Sequence, residues 1–213
     1  MAFFPILIRL DNAPCLIAGG GAIACHKAKV LLENGADVTV VAPEVCAELA
    51  ALPVKICRRA VTAADAADKA LVVDATGDPA AKEALSAVCA ERRIPYNCNG
   101  FGESCTAIFP AVYRKGRTTL AVSSIGASPA ASAWLRDRLA ADIPERMDDI
   151  LDCMAALRPL SHRYFADQPT RRVFLNTCLR QMLQENRTLS PEEIEAVRRE
   201  TETEQKERKE AQT

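Results

Sequence analysis

The chain has almost no excess of either charge: its 213 residues carry 27 Lys plus Arg against 28 Asp plus Glu, a formal net charge of −1. That balance argues against a dedicated nucleic-acid binder. No apolar run approaches the length of a membrane span. The opening Phe3-Phe4-Pro5-Ile6-Leu7-Ile8 lacks the cationic start and small-residue cleavage site of a signal peptide. The expectation is a cytoplasmic protein without a membrane partner. The nine cysteines, at 15, 25, 46, 57, 89, 98, 105, 153 and 178, include no Cys-x-x-Cys pair and no zinc-finger spacing. In a reducing compartment they read as thiols serving as small core residues. No internal repeat is visible.

What is present is a globular composition, 49% hydrophobic and 26% charged, with one informative local pattern. Cys15-Leu16-Ile17-Ala18-Gly19-Gly20-Gly21-Ala22-Ile23-Ala24 reads as a buried strand entering a helix through a glycine turn. In a dinucleotide site Gly19 makes the tight turn, Gly21 admits the phosphates to the backbone, and Ala24 packs the helix on the sheet. Gly20 is not required by this scheme. A helix over Ala22 to Glu33, stopped by Asn34-Gly35, would aim its N-terminal amides at the anion, and Asp37 to Val41 returns as a parallel strand. The second strand ends in Val41-Ala42-Pro43 without the acid that often binds the ribose hydroxyls. Glu44 is the nearest carboxylate and no Arg follows directly to receive a 2′-phosphate, so NAD is expected over NADP.

The alternation continues through Val54 to Cys57, Ala70 to Ala75, a helix from Pro79 to Arg92 capped by Asp78, and Ile94 to Cys98. This predicts an α/β fold with a Rossmann-type, doubly wound parallel sheet over residues 1–105, binding ligands at the carboxyl ends of its strands. Ala107 to Tyr113 and Thr118 to Val122 flank a four-residue turn, Arg114 to Arg117, and predict a β-hairpin. Helices are expected at about Pro129 to Leu139, Pro144 to Leu157 and Arg171 to Gln184, followed by a capping box at Ser190 to Glu193. The hairpin and first helix make a region over 106–150, further helices one over 151–197, and the polar stretch 198–213 reads as a solvated helix fraying at its end.

Pro5-Ile6-Leu7-Ile8, the glycine turn, Lys27-Ala28, Asn97 and Ser123-Ser124-Ile125-Gly126-Ala127-Ser128-Pro129 together resemble the precorrin-2 dehydrogenase module of siroheme synthases, over about residues 3–150. The resemblance implies NAD-dependent oxidation of precorrin-2 to sirohydrochlorin, in some members followed by iron insertion at the same site. It also implies a homodimer formed through the hairpin and helices. Many members are fused to a uroporphyrinogen methyltransferase, for which a chain of this length has no room. The cofactor positions it implies are Gly19, Gly21, Ala22, Ile23, Ala24, Val41, Ala42, Pro43, Thr76 and Asp78.

Bifunctional members carry an aspartate shortly after the asparagine matched by Asn97, and here that place holds Gly100. Glycine can take no proton, so the expectation is a dehydrogenase with absent or weak ferrochelatase activity. Glu103 is a possible substitute acid. The alternatives are a bifunctional enzyme and, in another class, an inactive dinucleotide sensor. Ser124 is expected to touch substrate, and Ser128 to do so or to cap the following helix. Arg114, Lys115, Arg117, Arg136 and Arg138 are candidates for the substrate's carboxylates. Cys98, Cys105, Asn99 and His26 offer a conceivable soft-metal set, against which ordinary thiols are the simpler reading.

Overall fold

The computed structural model describes residues 3–99 and 104–210. They divide into two compact units, Met1–Phe109 with Ile125–Ala127, and Pro110–Ser124 with Ser128–Thr213.

The first unit follows the order β1 (Pro14–Ala18), α1 (Ala22–Glu33), β2 (Asp37–Val41), α2 (Ala47–Ala50), β3 (Lys55–Cys57), β4 (Leu71–Asp74), α3 (Pro79–Arg92) and β5 (Tyr96–Cys98), with a single 3-10 turn at Ala63–Ala66. Its five strands pair in the order β3-β2-β1-β4-β5, all parallel. Cys15 to Ala18 are fully buried on both faces of the sheet, which is why β1 shows no polar alternation. Cys15, Ile17, Val38, Val40 and Val73 pack with Ala24, Ala28 and Leu31 of α1. Leu16, Ala18, Val72, Tyr96 and Cys98 pack with Leu85 and Cys89 of α3. The carboxyl ends expected from the sequence therefore share one edge of this sheet. α2 and the 3-10 turn were not expected, because each is a single turn too short for a hydrophobic period.

Beyond β5 the chain folds back against that strand. Tyr96 N–H donates to Thr106 Oγ1 at 2.8 Å, Tyr96 carbonyl accepts from Thr106 and Ala107 N–H at 2.9 Å each, and Cys98 N–H donates to Cys105 Sγ at 3.2 Å.

In the second unit β6 (Ala111–Lys115) and β7 (Thr118–Val122) are antiparallel, with Lys115 opposite Thr118. The turn is therefore the two residues Gly116 and Arg117, not the four expected, and Arg114 and Lys115 belong to the strand. Gly116 has φ +50°, as a two-residue turn with glycine first requires. Four helices follow, α4 (Pro129–Ala141), α5 (Met147–Tyr164), α6 (Gln168–Glu185) and α7 (Pro191–Glu210). Ile150, Leu157, Phe165, Phe174, Cys178, Met182, Leu189 and Val197 form the common core of α5, α6 and α7.

α5 starts later than expected and runs through Pro159, where the sequence suggested a stop at Leu157. Pro159 removes the helical donor to Ala155, but both residues are exposed, so water can serve that carbonyl. α6 starts earlier, at an Asp167 cap that accepts from Thr170 N–H and Oγ1 at 2.9 and 2.8 Å. The charged run from Arg198 stays helical to Glu210, supported by Arg198 with Glu195 and Glu202 one turn either side.

Near β3, Arg59 grips Asp65 through both terminal guanidinium nitrogens at 2.7 and 2.5 Å, and Thr62 N–H adds a third donor at 2.8 Å. The Arg59 hydrogen bonds lead in pulling the Asp65 carboxyl from 3.8 to about 2. A depressed acid contributes stability that is complete above its unfolded value and is lost as pH falls through the folded one. Asp65→Asn is therefore expected to flatten the acid limb of the stability curve between about pH 4 and pH 2, as measured by urea unfolding at a series of pH values.

Candidate functional site

The glycine turn fits between two other backbones. Gly19 has φ +111° and donates its N–H to Val41 carbonyl at 3.0 Å, and a Cβ there would lie 2.6 Å from Ala75 carbonyl oxygen. A Cβ on Gly20 would lie 1.9 Å from Glu44 carbonyl oxygen. Gly20 is thus required, against the expectation, and the reason is the approach of the β2–α2 connection, which the local motif does not reveal. A Cβ on Gly21 would meet nothing within 4 Å. The protein itself leaves that place open.

Gly21 is the N-cap of α1, with no side-chain cap and no acid in the first turn. The first helical bond runs from Cys25 N–H to Gly21 carbonyl, so the amides of Ala22, Ile23 and Ala24 precede it. By contrast, side-chain oxygens of Asp78, Ser128 and Asp167 cap α3, α4 and α6. Uncapped amides, the positive end of a helix dipole and an open glycine fit an anionic pyrophosphate. Val41 and Ala42 are buried at the adjoining strand end and Pro43 is exposed. These residues would hold a dinucleotide, with Thr76 at the neighbouring end of β4.

Sequence reasoning missed Asp74, the last residue of β4 and only 4% exposed. Its Oδ1 accepts from Thr76 N–H at 2.9 Å and Thr76 Oγ1 at 2.7 Å, and its Oδ2 accepts from Tyr96 Oη at 3.0 Å. Burial first, then the Asp74 charge, pushes the Tyr96 phenol far up. It stays protonated and donating. Three donors also leave Asp74 as an orienting group for Thr76 and not a free base. Thr76 Oγ1 in turn accepts from Asp78 N–H at 3.1 Å, while Asp78 caps α3 through Ala80 N–H at 3.0 Å. A buried Asp followed two residues later by Thr was the available signal.

Asn97 is half-buried and donates from Nδ2 to Ala107 carbonyl at 3.0 Å, tying β5 to the returning chain. Gly100 and Glu103 lie outside the described residues. In the second unit Ser124 Oγ donates to Ser128 carbonyl at 2.9 Å and accepts from Ser128 N–H and Ser132 Oγ, each at 3.0 Å. Its hydroxyl is engaged within the turn before α4. Ser128 caps α4 through Ala131 N–H at 3.1 Å. Arg117 pairs with Asp152 at 2.6 Å and Arg136 with Asp137 at 2.7 Å, so two of the candidate cations already have acids. Lys115 reaches Glu145 carbonyl at 3.4 Å, and Arg114 and Arg138 are exposed. His26 is exposed on α1, and among the described residues no three His, Cys, Asp or Glu side chains gather as metal ligands.

The two neighbouring glycines separate fold from binding. Gly20→Ala is expected to lose about 3 kcal/mol of stability, since the clash is with backbone. Gly21→Ala should lose less than about 1 kcal/mol, the difference of a poorer N-cap, while weakening dinucleotide affinity at least tenfold by an order-of-magnitude estimate. Thermal melts and calorimetric titration with NAD check both.

Residues 6–111 match a family model described as putative NAD(P)-binding. The siroheme synthase of Thioalkalivibrio sulfidiphilus is 38% identical over 148 residues, which cover 68% of this chain and 30% of that protein. That of Pseudomonas putida is 33% identical over 202 residues, covering 93% of this chain and 43% of that protein. The chain thus spans well under half the length of these curated relatives. Among solved structures, SirC, precorrin-2 dehydrogenase, shares the fold with a TM-score of 0.66 and 24% identity, over 94% of this chain and all of that one. Residues 6–111 thus match the putative NAD(P)-binding family model, and through most of its length the chain is similar to the siroheme synthases.

Proposed function

We propose that the chain is an NAD-dependent precorrin-2 dehydrogenase acting in siroheme synthesis in the cytoplasm. The observation that carries this reading is the relation to siroheme synthases at 33–38% identity, running through the uncapped glycine turn. When bound, NAD supplies a two-electron hydride acceptor. The amides of Ala22 to Ala24 would orient its pyrophosphate, and Val41, Ala42 and Pro43 would flank the adenosine ribose. Thr76, fixed by Asp74, would border the nicotinamide ribose. Precorrin-2 loses a hydride and a proton to become sirohydrochlorin. Asp74 already accepts three hydrogen bonds and Gly100 carries no acid, so the proton would leave to water or to Glu103. Positioning dominates such a reaction.

The same glycine at position 100 favours a dehydrogenase with little ferrochelatase activity, unless Glu103 substitutes. Arg114, Arg117 and Arg136 would meet the substrate's carboxylates, the latter two by exchanging their acid partners for it, and Ser124 and Ser128 would shape the adjoining turn. Anaerobic turnover of precorrin-2 with NAD, followed optically, should give NADH and sirohydrochlorin. Ferrous ion added next should insert no faster than without protein, and Gly100→Asp should raise that rate. NAD binding without any NADH would overturn the enzyme reading in favour of a dinucleotide sensor.

A homodimer would cover α4, where Trp134 is 66% exposed beside Leu135 and Leu139, in the unit whose β6 also exposes Val112. Trp134→Glu is expected to convert a dimer to a monomer in light scattering. An unchanged mass would place the interface elsewhere.

A further inference from the structure

We propose that Cys98 and Cys105 form a redox-active dithiol that closes to a reversible disulfide at the outer edge of β5. Their Sγ atoms lie 2.7 Å apart, intermediate between ordinary contact and the ~2.05 Å of a sulfur–sulfur bond. Neither cysteine is in a disulfide, and both are buried. The approach is held by the backbone on either side. Tyr96 is bound to Thr106 and Ala107, Asn97 to Ala107, and Cys98 N–H to Cys105 Sγ. These bonds survive oxidation, because a disulfide sulfur still accepts the Cys98 amide. The 3.6 Å donation from the Cys105 thiol to Cys98 carbonyl is lost. Pre-positioned thiols turn the ring-closing step into a local event.

The chemistry needs a two-electron oxidant, and a peroxide is the class that fits narrow access. One sulfur attacks a peroxide oxygen, the oxygen–oxygen bond breaks, and a sulfenic acid and water result. The second sulfur then attacks the first, the sulfur–oxygen bond breaks, and hydroxide leaves with the second thiol's proton as water. Two thiols are oxidised and one peroxide is reduced to two waters. Burial, followed by the Cys105 contact, pushes the Cys98 thiol up, so the first step should accelerate with pH. The consequence reaches the ligand edge. Cys98 pairs with Asp74 in the sheet, Asn99 N–H donates to Asp74 carbonyl at 2.9 Å, and the stretch between the two cysteines carries Gly100 and Glu103.

The test is made on the full folded chain. After hydrogen peroxide and rapid alkylation, trypsin releases one peptide, residues 94–114, holding both cysteines. That peptide should be two hydrogens lighter and unalkylated, and should become doubly alkylated after dithiothreitol. The oxidised protein should melt higher than the reduced one. Three results would overturn the proposal: a doubly alkylated peptide at a dose that has already oxidised the more exposed Cys46 and Cys57, addition of oxygen without loss of hydrogen, or a bridge to any other cysteine. Cys105→Ser, checked for folding by circular dichroism, should abolish the reversible mass loss.

Discussion

Two carbonyl oxygens, that of Ala75 just past β4 and that of Glu44 in the β2–α2 connection, press on the glycine turn. The sheet can close around that turn only if Gly19 and Gly20 carry no side chain. Because β2 and β4 both pair with β1, the constraint also fixes how near their carboxyl ends stand to α1. Gly19 N–H bonded to Val41 carbonyl and Ala75 N–H bonded to Ala18 carbonyl extend the ladder up to the turn. Rigid backbone therefore surrounds the uncapped start of α1. A site for a polyanion is set by groups that need not reorganise when it arrives.

The parts of this arrangement that were legible in the sequence are local. β1, α1, β2 and α3 each carry their own signal: a continuous apolar run, a glycine stop, an alternating return strand, an Asp-Pro start. The unread parts depend on residues distant in the chain. Gly20 is demanded by Glu44, Asp74 is satisfied by Tyr96, and Arg117 is matched by Asp152, none of which shares a helical or strand period with its partner. α5 passing Pro159 is of the same kind, since its packing on α6 outweighs the local proline signal. The hairpin turn is two residues shorter than expected because Gly116 suits a tight turn as well as a loose one.

The second unit shows why a nearly neutral chain gives few clues about anionic ligands. Its cations are distributed among its own acids, as Arg117 with Asp152 and Arg136 with Asp137, both at the surface where such pairs contribute about 1 kcal/mol or less. Weak pairs of this sort are easily exchanged for a ligand carboxylate. The pairing fixes side-chain direction without committing the charge.

A parallel sheet ending at a three-residue strand would present a row of backbone donors and acceptors to any passing chain. At β5 that row is filled from within: Thr106 supplies a hydroxyl acceptor and an amide, Ala107 a second amide, and Cys105 a sulfur. The return of the chain thus acts as a hem on the fabric. It removes the template on which another molecule could add a strand, and so guards against edge-to-edge association with no sixth strand of its own.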